Sequence, residues 1–128
     1  MIALVNAARA QHGLQPVAAA APLGQAARAH STDMGQRGYF GHGGRGTSFM
    51  QRILRQPRTA GFNCFGETIA YGAGSGAAPA AIVRQWMASP PHRATLLDPR
   101  FRRIGVGIWR GNFDGMPAAA LYTADFAG

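Results

Sequence analysis

RRIGVGIWRGNFDGMPAAALYTADF, residues 102–126, is the stretch that decides the fold. Its two ends, RRIGVGIWR (102–110) and AAALYTADF (118–126), are short, apolar and carry β-branched or aromatic residues, so each reads as a strand. The connection GNFDGMP (111–117) contains Asp114–Gly115, a pair that suits a tight hairpin because both positions tolerate positive φ. Upstream of this hairpin the chain reads mainly as helix. Pro79 suits a first helical turn, and AAIVRQWMAS (80–89) follows it with Ile82, Val83 and Trp86 on one face. PPHRATLLDP (90–99) reads as a turn followed by a short helical piece.

Further out, LGQAARAHSTDMGQRG (23–38) spaces Leu23, Ala26, Ala27, His30 and Met34 as a helix ended by Gly38. IALVNAARAQHG (2–13) aligns Ile2, Val5 and Arg9 and closes on Gly13, a helix with a glycine cap. GLQPVAAAAP (13–22) is a connector, and YFGHGGRG (39–46) is a glycine-rich loop. SFMQRILRQ (48–56) predicts a third helix with Phe49, Ile53 and Leu54 inward, stopped by Pro57. GETIAYG (66–72) is a strand or strand-like turn, and GAGSGAAP (72–79) a flexible, low-complexity loop. Helices first and strands late predict an α+β fold: a small antiparallel sheet covered by helices, with no internal repeat.

The 128 residues fit one domain large enough to bury a core without disulfide staples. Cys64 is the single cysteine, so no internal disulfide is possible and cysteine usage is silent on compartment. No apolar run is long enough to span a bilayer. The chain opens inside a helical stretch, so we expect that an upstream signal or anchor has been trimmed, with Met1 a cloning residue. The net charge is +8, carried by 13 arginines and no lysine, alongside 25 Ala and 18 Gly. A GC-rich coding bias accounts for that composition better than an anionic partner does. The arginines are scattered, only Arg100, Arg102 and Arg103 cluster, and no aromatic pattern of specific nucleic-acid binding appears.

Five acids are present, and Glu67 is the only glutamate. It lies in an apolar, glycine-flanked segment, where a carboxylate is costly unless a cation, a metal or several donors meet it. Four histidines are present. His12 ends the first helix, where a cation suits the dipole, and His30 lies on the apolar stripe of the second helix as a core histidine or a neighbour of the site. His42 follows Tyr39 and Phe40, which anchor its glycine-rich loop, and His92 follows the stiff Pro90–Pro91 pair. Two histidines on rigidified loops and one lone carboxylate match the ligand types of zinc or another divalent cation, although the spacing alone does not define a metal site. Ser89, three residues before His92, permits a Ser–His–Glu hydrolase on paper; no GxSxG elbow supports it, and a helix-ending serine explains it more simply.

YFGH, GETIAYG, WMASPPHRATLL and RRIGVGI, in that order, resemble the bacterial branch of the CAP superfamily. That superfamily joins cysteine-rich secretory proteins, venom antigens and plant pathogenesis-related proteins. LVNAARAQHGLQPV and AARAHSTDM fit as well, and the resemblance spans nearly the whole chain, as one domain over 1–128. It implies a three-layer α-β-α sandwich with a large central cleft, and a site of two histidines and two acids. By motif, His42 and His92 match the histidines, and Glu67 the glutamate of a GEN-type motif in which Thr68 replaces the usual asparagine. The remaining acid, three residues after the helix tryptophan, falls on Ser89 after Trp86. The resemblance thus implies metal ligands His42, His92 and Glu67, a lower metal affinity than the full tetrad, and no two-carboxylate mechanism.

Three functions stay open. The favoured one is a secreted or cell-envelope binding module whose cleft takes a divalent cation or a small envelope-derived ligand, with lipid or cell-envelope polymer as partners. The second is a metal-dependent hydrolase or peptidase drawing on His42, Glu67, Ser89 and His92. The third is a non-catalytic interaction domain whose site residues only hold loops together.

Overall fold

The computed structural model describes residues 1–128 apart from Arg45, Arg58 and Ala60. Helix α1 spans Ile2–Gln11, strand β1 Ala18–Ala19, α2 Ala21–Arg37, α3 Phe49–Leu54 and β2 Phe65–Gly72. Then follow α4 (Pro79–Ala88), α5 (Pro90–Leu96), β3 (Arg103–Phe113) and β4 (Met116–Ala127). The sheet order is β1-β3-β4-β2. β3 and β4 form the expected hairpin, and β2 pairs antiparallel with β4 over its whole length. The sheet is mixed rather than purely antiparallel, because Ala18–Ala19, inside the expected connector, joins β3 in parallel.

The hairpin turn is narrower than GNFDGMP suggested. The strands run on until only Asp114 (φ 52) and Gly115 (φ 72) remain, the two positive-φ positions of a tight turn.

Alternation along β4 divides the core. Ala120, Tyr122, Ala124 and Phe126 face Val5 of α1, Ile82 and Trp86 of α4 and Leu96 of α5. Leu121 and Ile69 face Met34 of α2 on the other side, where Leu23 and Ala26 also meet Ile53 of α3. The result is three layers, α1/α4/α5 on one face and α2/α3 on the other. Helix α2 lies directly on β3 because Gly105 and Gly107 carry no side chains. A Cβ on Gly107 would sit 2.2 Å from the backbone carbon of Ala27, and one on Gly105 2.0 Å from the nitrogen of Gly24. The glycines of IGVGI are therefore the seat of a helix.

Three further expectations change. GAGSGAAP is anchored, not flexible: Gly74–Ala77 forms a 3-10 turn, Ala77 is buried, and the Tyr122 hydroxyl donates to its carbonyl at 2.8 Å. PPHRATL is helical from Pro90 onward, since proline needs no N–H in a first turn. Leu54 points outward at 52% exposure, because one turn of α3 can aim only Ile53 at Leu23 and Ala26.

Arg9 is fully buried in α1. Its guanidinium donates to the carbonyls of Gln15, Leu96, Asp98 and Phe101, tying α1 to the segment before β3. The Arg100–Arg103 cluster is spent locally: Arg100 pairs with Asp98 at 2.6 Å, Arg102 donates to the Pro99 and Phe101 carbonyls, and Arg103 donates to the Arg102 carbonyl.

Candidate functional site

Helix α2 ends on Gly38 in the left-handed conformation, which releases the chain into the loop that carries His42. That loop is pinned on every side. The Tyr39 hydroxyl donates to Asp33 at 2.7 Å, Phe40 packs edge-on to Tyr71, and His30 Nε2 donates to the Gly41 carbonyl at 2.8 Å. Arg52 Nη1 donates to the His42 carbonyl at 2.7 Å. The aromatic anchoring expected from YFGH is present. Of the glycine-rich loop, Arg45 lies outside the described residues.

Glu67 stands on β2 with a fully buried carboxylate. His42 Nδ1 lies 2.8 Å from its Oε1, and Arg52 Nη2 lies 2.5 Å from Oε2. With Nδ1–H donated to Glu67, the His42 lone pair is on Nε2, and the ring is about half exposed. Arg52 arrives from α3, whose start is fixed by a reciprocal cap between Ser48 and Gln51. Burial pushes the Glu67 carboxyl up, but the hydrogen bond from His42 and the charge of Arg52 outweigh it, and the group sits below the ordinary range.

His92 lies in the first turn of α5, its ring centroid 6.4 Å from that of His42 with 51° between the planes. Burial, then the neighbouring His42, lowers its pKa. The structure thus gathers three of the four site candidates, His42, Glu67 and His92. Ser89 stands at the α4–α5 junction, where its backbone accepts from Arg93; among the described residues its hydroxyl has no hydrogen-bond partner.

Two functional neighbours were missed in the sequence. Arg52 carried no signal, since its role depends on where β2 falls. Asp125 did carry one: in ALYTADF it alternates in step with Leu121 and Thr123, so it points inward. It is fully buried, lies directly across β4 from Glu67, and neither of its oxygens receives a hydrogen bond. Burial, then the charge of Glu67, raises its pKa well above the carboxylate range. A neutral Asp125 beside an ionised Glu67 relieves the facing pair. Asp125 is a second carboxyl next to Glu67, buried in the sheet and apart from the helix position that Ser89 occupies.

His12 caps α1 as expected, with Nδ1 on the Ala8 carbonyl at 2.9 Å. His30 is a core histidine, 1% exposed, and burial lowers its pKa.

As a metal site the cluster offers two imidazoles whose ring centroids stand 6.4 Å apart, to be set against zinc–nitrogen bonds of about 2.0–2.1 Å. The Glu67 oxygens are engaged by His42 and Arg52, so this residue fits the outer carboxylate that orients a ligating histidine better than the ligand role expected for it. Among the described residues no group of three or more His, Cys, Asp or Glu side chains is arranged to hold an ion. Two concavities, of about 690 and 640 Å³, open beside the cluster; both include Asp33, Gly44 and Thr47, and neither is lined by His42 or His92.

A three-layer α-β-α sandwich with paired histidines and a buried glutamate at one edge of its sheet defines the CAP class of domain. The profile of the cysteine-rich secretory protein family, CAP, matches residues 2–123, and the chain belongs to that family. It is 35% identical over 125 residues to the uncharacterized protein YkwD of Bacillus subtilis, covering 90% of this chain and 46% of YkwD. It is 34% identical over 107 residues to the uncharacterized membrane protein YlbC of the same organism, covering 84% of this chain and 30% of YlbC. The chain thus spans less than half the length of these curated relatives. Among solved structures, an extracellular SCP-domain protein of Bacillus anthracis superposes with a TM-score of 0.79 at 29% identity, over 98% of this chain and 38% of that one. An outer surface protein of Borrelia burgdorferi has the same TM-score at 21% identity, over 98% and 87%, which speaks for the fold alone. Among the described residues no helix is long and apolar enough to cross a membrane.

Proposed function

We propose that this domain is a secreted binding module that holds a divalent cation, zinc by its donor types, between His42 and His92. The supporting observation is the fixed imidazole of His42: Glu67 holds Nδ1, and the free Nε2 belongs to a half-exposed ring whose centroid is 6.4 Å from that of His92. Arg52 holds Glu67 in turn, so the orienting chain is set before any ligand arrives. With only two protein ligands, water completes the shell and binding is weak compared with a three- or four-residue site. A bound cation offers positive charge to a carboxylate, phosphate or water oxygen of an envelope ligand. Export is consistent with the extracellular and outer-surface relatives.

Zinc titration by calorimetry tests this reading. Saturable heat is expected for the protein, lost in both His42→Ala and His92→Ala. No heat at millimolar zinc, or heat that survives both substitutions, ends the proposal.

A further inference from the structure

Beside the His42–Glu67–His92 cluster, a groove of about 640 Å³ runs between α2 and α3, a size typical of ligand sites. Its long wall is one face of α2. Gln25, Ala29, Thr32 and Gln36 recur at helical spacing along it, over roughly 16 Å at 1.5 Å per residue. Arg52, Arg55 and Gln56 form the facing wall. Among the described residues the one carboxylate lining the groove, Asp33, is held by Arg37 at 2.8 Å and by the Tyr39 hydroxyl. Arg28 and Arg55 are exposed on opposite walls, and among the described residues neither pairs with a carboxylate. The groove therefore offers two open guanidinium forks, with the side-chain amides of Gln25, Gln36 and Gln56 between them.

The walls also present amide and hydroxyl groups, from Gln25, Thr32, Gln36 and Gln56. A hydroxyl group both donates and accepts, and so suits such a wall better than a simple anion does. Among the described residues no Phe, Tyr or Trp lines this groove, so it lacks the stacking platforms of a single-strand nucleic-acid site. Most of the residues that line it are of polar types, among them three glutamines, two threonines and three arginines.

We infer that this groove binds a linear, polyhydroxylated polyanion: a sugar or polyol chain carrying carboxylate or phosphate. Its charges meet Arg28 and Arg55, and its hydroxyls meet the glutamine amides. The site is separate from the His42–His92 pair, so its success or failure does not depend on the cation reading.

Calorimetry with four probes tests the inference: an oligogalacturonate, a poly(glycerol phosphate), neutral dextran of matching length and poly-glutamate. The first two distinguish a carboxylate source from a phosphate source. At least one of them is expected to bind, at least tenfold more weakly to Arg28→Gln/Arg55→Gln, with dextran silent and poly-glutamate weaker. Both arginines are exposed, and an unchanged circular dichroism spectrum confirms that the variant folds. The inference is overturned if neither polyanion binds, if the double variant retains full affinity, or if dextran or poly-glutamate binds equally well.

Discussion

Replacing Asp125 with asparagine examines the least expected part of the site. Beside Glu67 a neutral Asp125 offers one donor, and an asparagine amide at the same place offers one as well. In acid solution, where Asp125 holds its proton, Asp125→Asn should change stability by less than about 1 kcal/mol, the net worth of one ordinary hydrogen bond. At higher pH the two proteins diverge. The folded-state pKa of Asp125 is raised, so between the unfolded value near 3.8 and the folded value the native state binds the extra proton. Its stabilising contribution is complete below the unfolded pKa and is lost as pH rises toward the folded one. The slope reaches at most about 1.4 kcal/mol per pH unit. Glu67 runs the other way, its pKa being lowered, so its contribution is complete above about 4.5 and disappears only in more acid solution. Above about 4.5 a decline with rising pH therefore belongs to Asp125, and Asp125→Asn removes it. In a domain of this size each kcal/mol moves the melting temperature by about 3–5 °C. Thermal unfolding by circular dichroism at pH 5, 6, 7 and 8 reads the difference. If the variant is several kcal/mol more stable at pH 5 and its pH slope matches the parent's, Asp125 is ionised beside Glu67 and the neutral-Asp125 arrangement is wrong.

Two other perturbations follow from the packing. Glu67→Gln removes the charge that Arg52 answers; Arg52 is 13% exposed, so a largely buried cation loses its counter-ion. A loss of about 3 kcal/mol in urea unfolding is expected, together with weaker zinc binding as His42 loses its orientation. Gly107→Ala forces a methyl into the α2 backbone at 2.2 Å, and should cost about 3 kcal/mol by thermal unfolding, well above the helix-propensity scale, because neither backbone yields.

The fold was legible where periodicity ran long. α1, α2, α4 and the β3–β4 hairpin are all stretches whose apolar spacing matches one repeat and whose ends carry a glycine, a proline or Asp–Gly. β1 was not legible, since two alanines have no pattern and pair with β3 only because the chain passes its edge. Leu54 misled because two adjacent apolar residues in one turn cannot both face Leu23. In the site, His42, Glu67 and His92 stood out for their odd settings, and the structure brings them together. Asp125 was readable from strand parity, which places it among inward residues. Arg52 was not, for its importance comes from a partner 15 residues away whose position only the fold supplies.

The buried Arg9 bears on the order in which this protein assembles. Three of its four carbonyl acceptors lie 87 to 92 residues further along the chain. A guanidinium cannot satisfy its donors there until that distant segment has taken shape, and closing so long a loop costs entropy before any contact repays it. Helix α1 is thus among the last elements to lock. Until then Arg9 is a solvated charge that opposes premature burial of α1. Once that distant segment has folded, the helix is held by hydrogen bonds that no change of redox environment can undo.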